Sequence, residues 1–133
     1  MMTYLALKQR LPVNAAAVVS GLGDVSASVR ERPEFARLYR ELIPDFATRG
    51  EEAMRERSVV AWAGQIDTPL LILHGTADWR ANVDSQGRAV SQALSANGKQ
   101  HELVIYDGDV HGLLLNAQDR TERILAWFRR YMR

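Results

Sequence analysis

The chain contains no cysteine in its 133 residues. That absence excludes disulfides, thiolate metal sites and a cysteine nucleophile together, and it fits a reducing, cytoplasmic setting. Charge of neither sign is in excess, because seventeen basic against sixteen acidic side chains leave +1. Nothing electrostatic therefore favours nucleic acid or an anionic membrane as a partner. No apolar run approaches the roughly eighteen residues of a membrane-spanning helix. The opening Met1-Met2-Thr3-Tyr4-Leu5-Ala6-Leu7-Lys8 is too short for a signal peptide, and its basic residues follow the apolar run instead of preceding it. Three histidines and scattered acids show no H-x-x-x-H spacing, so neither a metal nor another cofactor is expected. Repeats, low-complexity tracts and linkers are likewise missing, and so is any G-x-S-x-G.

What is present reads as one soluble domain, residues 1–133, since 47% apolar and 25% charged residues lie within the ordinary globular range. Residues 1–11 carry apolar side chains at 1, 2, 4, 5 and 7 and stop at Pro12. This predicts a helix, and the lack of a capping residue ahead of it gives it the look of one cut into. The small apolar run Asn14 to Ser20, closed by Gly21 and Gly23, predicts a buried strand. Gly21-Leu22-Gly23-Asp24 then reads as a strand-to-helix turn with Asp24 as cap. Residues 29–43 are expected to form one charged amphipathic helix ending before Pro44, and residues 51–57 a second short one. Together they make an excursion lying over the strand ends.

Leu70-Leu71-Ile72-Leu73 is a continuous apolar run, as expected of a parallel strand covered on both faces. A helix over 84–96 with Val90, Ala93 and Leu94 inward, a strand over 101–106 and a final helix over 118–132 complete the order α-β-(αα)-β-α-β-α. That order predicts a three-layer parallel α/β fold.

In such sheets ligands gather at the carboxyl ends of the strands. Asp78 follows the strand ending at Leu73, within Leu73-His74-Gly75-Thr76-Ala77-Asp78. His111 follows the strand ending at Tyr106, within Gly108-Asp109-Val110-His111-Gly112. If the two strands are neighbours, the carboxylate can accept the imidazole Nδ1–H and leave the other ring nitrogen outward as a base. Taken alone, an Asp in such a turn is a turn former and a single His is packed or exposed. Their joint placement between glycines favours a pair, and an Asp and a His in this order are two members of a Ser…Asp…His triad. Ser20 is a poor substitute for the third, because Val18 stands where an elbow needs glycine. His74 is expected to pack under the Asp loop and His101 to start its strand exposed. Arg80 either orients that loop, meets a substrate carboxylate or is solvated, and Trp62 and Trp79 are expected in packing.

Leu70-Leu71-Ile72-Leu73-His74-Gly75-Thr76-Ala77-Asp78-Trp79-Arg80, the helix and strand after it, and Tyr106-Asp107-Gly108-Asp109-Val110-His111-Gly112 resemble the C-terminal catalytic region of prolyl oligopeptidase-family serine peptidases, a branch of the α/β-hydrolase fold. Residues 1–7 resemble the helix after that family's G-x-S-x-G-G elbow, and residues 15–21 the following strand. The resemblance implies an α/β-hydrolase-like partial sheet of about three strands, with Asp78 as triad acid and His111 as triad base. It also implies a peptide substrate, or less readily a small ester. The serine and the oxyanion-hole donors would then precede Met1, so the chain is expected to be a portion truncated after the elbow and inactive alone in acyl transfer. Ala81-Asn82 stands where the family often has Val-Pro, which would loosen the Asp loop. The first strand, lacking its usual neighbour, would pair with the N-terminal half or with a second copy. The alternative is a non-catalytic α/β module pairing through that same edge.

Overall fold

The computed structural model describes residues 1–132. The elements follow the order α1 (Met2–Lys8), β1 (Ala16–Val19), α2 (Val25–Glu31), α3 (Glu34–Leu42), α4 (Phe46–Arg57), β2 (Leu70–Gly75), α5 (Ala89–Ala96), β3 (His101–Tyr106) and α6 (Ala117–Tyr131). The strands are parallel and adjacent in the order β1-β2-β3. Parallel neighbours cannot be joined by a tight turn. The α2–α4 excursion therefore carries the chain from β1 to β2, and α5 carries it from β2 to β3. Leu70 lies opposite His101 and Gly75 opposite Tyr106, so β2 and β3 end level and their exit turns open on one edge.

Every residue of β2 is buried because both of its faces are covered. Leu70 and Ile72, with Ala16 and Val18 of β1, pack against Tyr4 and Leu7 of α1, Trp62, Ile66, and Val90 and Leu94 of α5. Leu71 and Leu73 point the other way, toward Tyr106, Leu113 and Trp127 of α6. Alternate residues thus serve opposite layers, and each fully buried leucine or isoleucine contributes about 1.5–3 kcal/mol. The layering is the three-layer parallel α/β arrangement expected, with helices on both faces.

The excursion departs from its sequence reading. Residues 29–43 do not form one helix but break between α2 and α3. Pro33 has no N–H to donate and drives the residue before it out of the helical region, leaving Arg32 at φ −137° and ψ 83°. Helix α4 begins at Phe46, earlier than the expected 51, and kinks at Arg49. The three helices bury Val25, Tyr39, Ile43 and Ala53 among themselves. Asp24 caps α2 as anticipated, its carboxylate accepting the Ala27 N–H at 2.9 Å.

The helix expected from residue 84 opens instead as a single wide π turn over Asp84–Arg88, with the Arg88 N–H reaching the Val83 carbonyl at 2.9 Å. This turn brings Gln86 inward, fully buried. Its Oε1 accepts the Gly23 and Asp24 N–H groups at 2.8 and 2.9 Å, and its Nε2 donates to the Asp24 carbonyl at 3.0 Å. One amide thereby fastens the turn after β1 to the start of α5. Among the described residues no helix is long and apolar enough to cross a membrane.

Candidate active site

The turn after β2 places Asp78 with its side chain fully buried, while the turn after β3 leaves the His111 ring 39% exposed. The close approach of these turns depends on Gly75, where any Cβ would collide with the Asp109 carbonyl. Thr76 N–H donates to the Tyr106 carbonyl and Ala77 N–H to the Asp109 carbonyl, both at 2.9 Å, so the two turns are laced together by backbone.

The Asp78 carboxylate is divided between two tasks. Oδ1 accepts the Arg80 N–H at 2.9 Å and the Ala81 N–H at 3.0 Å, which fixes the plane of the carboxylate. Oδ2 receives His111 Nδ1 at 2.9 Å, with Oδ1 at 3.1 Å from the same nitrogen. A carboxylate only accepts, so the proton lies on Nδ1 and His111 holds the tautomer whose Nε2 lone pair is free. Nε2 has no partner among the described residues. The Asp and His that the sequence singled out are thus brought into direct contact. Nor does Ala81-Asn82 loosen the Asp loop, for Ala81 is buried with both of its backbone groups bound.

His74 lies beneath this pair, fully buried, and its Nε2–H donates to the Ala81 carbonyl at 2.7 Å. Asp78 Oδ2 is farther from it, at 3.5 Å. Burial holds the His74 pKa below the ordinary imidazole value, although the Ala81 carbonyl and Asp78 pull it upward and His111 adds to the lowering. The ring is neutral, and its Nδ1 faces Gly87 without a partner. A lowered folded pKa means that the unfolded chain binds the proton first as pH falls. His74 therefore contributes stability that is complete above about pH 6.5 and is lost as pH falls toward and through its folded value, by at most about 1.4 kcal/mol per unit. Chemical denaturation of wild type and His74→Gln between pH 8 and 5 should show the shallower slope in the variant. Parallel slopes would place the buried proton uptake elsewhere.

Asp109, between the two glycines of the His turn, was not anticipated as more than a turn residue. It is fully buried and organises everything after His111. Oδ1 accepts from the Val110 and Leu115 N–H groups at 2.8 and 3.2 Å, and Oδ2 from the Asn116 N–H and side-chain amide at 3.1 and 2.9 Å. Burial pushes its pKa up, but the Asn116 amide and the three N–H donors outweigh that and hold it below the usual carboxylate range.

In front of His111 opens a cleft of about 620 Å³ lined by Ser20, Arg32, Phe35, Trp79 and Arg80 among others. Trp79 is 67% exposed there and is not a packing residue, in contrast to the buried Trp62. Two guanidinium groups stand near its indole, Arg32 at 5.3 Å and Arg80 at 5.0 Å from the ring centroid. Arg32 also stacks on Phe35 at 4.5 Å and pairs with Glu34 at 2.7 Å. A larger cleft of about 1100 Å³ lies along α2 and α4, but neither Asp78 nor His111 lines it. His101 is half-buried instead of exposed, because its Nε2 meets the Ser91 hydroxyl at 2.9 Å and its Nδ1 the Lys99 carbonyl at 2.9 Å.

A sequence profile of the prolyl oligopeptidase family matches residues 1–133. The uncharacterized peptidase YuxL of Bacillus subtilis (strain 168) is 31% identical over 86 residues, covering 61% of this chain and 13% of the relative. The acylaminoacyl peptidase of Pyrococcus horikoshii superposes with a TM-score of 0.83 at 24% identity, over 98% of this chain and 22% of that one. A puromycin-hydrolyzing peptidase of Mycobacterium tuberculosis gives a TM-score of 0.81 at 23% identity, over 97% and 20% respectively. The chain therefore spans about a fifth of the solved structures it resembles and less of the curated relative. With the profile match running its whole length, the chain belongs to the prolyl oligopeptidase family.

Proposed function

We propose that these residues supply the acid and the base of a serine hydrolase acting on peptide bonds. In this reading a serine outside residues 1–133 attacks the scissile carbonyl. His111 Nε2 takes the serine proton and returns it to the leaving amine, while Asp78 holds Nδ1–H and stabilises the imidazolium formed in between. The observation that carries the reading is the 2.9 Å contact of His111 Nδ1 with a fully buried carboxylate, which leaves Nε2 free toward an open cleft. Amide over ester substrates is favoured by the relatives, which are described as an acylaminoacyl peptidase and a puromycin-hydrolyzing peptidase.

This reading puts the nucleophile outside residues 1–133 on the ground that the sequence holds no G-x-S-x-G, while the Ser20 Oγ accepts the Gly112 N–H at 3.0 Å. The N-terminal half would join through β1, which pairs only with β2 among the described residues and leaves its other edge open. That open edge equally favours a second reading, a non-catalytic module that closes it with another copy of the chain.

Fluorophosphonate labelling separates the two. The 133 residues alone should take no label, whereas the same chain joined to a preceding segment bearing G-x-S-x-G-G should label at that serine and hydrolyse peptide p-nitroanilides. His111→Ala should abolish both. Labelling of a serine in the chain alone, or a joined protein indifferent to His111→Ala, would overturn the proposal.

A further inference from the structure

Ser20 stands just past the end of β1, its N–H still donating to the Leu73 carbonyl at 2.9 Å as a continuation of the ladder. Its backbone then turns to φ 51°, in the left-handed region that a residue with a Cβ occupies only under strain. Glycine would sit there freely. What the side chain provides in exchange is a buried hydroxyl that accepts the Gly112 N–H at 3.0 Å, a bond between positions 92 residues apart.

Gly112 directly follows His111 and is itself at φ 87°. Its carbonyl is taken by the Arg120 guanidinium of α6. On the other side of His111, Val110 N–H is bound by Asp109. The imidazole therefore projects from a short span fixed at both ends. Asp109 and Arg120 belong to the same stretch of chain as the loop, so they set its shape. Ser20 instead ties the loop to the sheet edge, at the cleft that Ser20 and His111 both line.

We propose that Ser20 is a positioning residue. Its hydroxyl holds the His111 turn against the end of β1 and so keeps Nδ1 on Asp78 and Nε2 toward the cleft. This rests on the reading of Asp78 and His111 as acid and base, but its test does not require hydrolysis. Ser20→Ala removes the hydroxyl and keeps the strain. Ser20→Gly removes both.

In ¹⁵N-labelled protein both substitutions should speed hydrogen exchange of the Gly112 amide about tenfold, the loss of one ordinary hydrogen bond. Both should also broaden the His111 Nδ1–H resonance through exchange with water. Ser20→Gly should nevertheless melt no lower than Ser20→Ala, since glycine relieves the left-handed backbone. A dyad signal lost equally in both variants, although their stabilities differ, is not what a merely structural serine would give. Unchanged Gly112 exchange and an unchanged Nδ1–H resonance in either folded variant would overturn the assignment. Failure of His111→Ala to affect probe labelling would instead remove the acid–base reading and leave the loop measurement standing.

Discussion

Asp78→Asn in the joined, serine-bearing protein should lower kcat by about 10⁴-fold while leaving the melting temperature and KM nearly unchanged. The reason lies in how the two carboxylate oxygens are committed. Oδ1 accepts two backbone N–H groups, from Arg80 and Ala81. An asparagine must keep its carbonyl oxygen there, because an NH₂ group facing two N–H donors would be repelled and unpaired. The amide NH₂ is then forced into the position of Oδ2, which faces His111 Nδ1. Nδ1 must now accept, the ring proton moves to Nε2, and the nitrogen meant to receive the serine proton already carries one. The geometry survives and the base does not. Asp78→Ala should be similarly inactive but also less stable, since it strands the same two N–H groups. Retention of more than a tenth of wild-type kcat in Asp78→Asn would show that His111 does not depend on this carboxylate for its tautomer. The reading of the site would fall with it.

Much of this site was legible because its parts are local in sequence. A buried strand followed by a glycine turn announces where a side chain emerges, and parallel strands joined by a single helix emerge on the same edge. Hence Asp78 and His111 could be paired before any distance was known. The break at Pro33 was also within reach of the sequence, since the residue before a proline resists helix, yet the amphipathic pattern across residues 29–43 argued for continuity. Gln86 was not legible. A glutamine in the first turns of a helix reads as solvated, and its burial follows from a wide turn and a contact with Gly23 some sixty residues earlier. Trp79 misled in the opposite direction. Large aromatic residues are usually buried, but the one beside Asp78 is left standing in the cleft between two guanidinium groups. Asp109 lies in the same Gly108–Gly112 turn as His111. Its partners Leu115 and Asn116 come from a loop without periodic pattern, so nothing before the fold distinguishes it from an ordinary turn aspartate.

That makes Asp109 the sharpest test of the loop as a unit. Asp109→Ala should lower the melting temperature by about 10 °C, the equivalent of about 3 kcal/mol for a domain of this size. It leaves the Val110, Leu115 and Asn116 N–H groups and the Asn116 amide without the buried carboxylate that accepts from them. Asp109→Asn keeps one accepting oxygen and should lose about half as much. The pH dependence separates charge from shape. The folded pKa of Asp109 lies below its ordinary value, so its carboxylate contributes stability that is complete above about pH 4 and is lost as pH falls through the folded value. Wild type should therefore weaken on acidification in that range, and Asp109→Asn, having no proton to gain, should weaken less. His111 hangs from the same loop, so both variants should also broaden its Nδ1–H resonance at neutral pH, well below the melting temperature. An Asp109→Ala protein that melts within two or three degrees of wild type would mean that water replaces the carboxylate without penalty. The His111 turn would then owe its shape to Ser20, Gly75 and Arg120 alone.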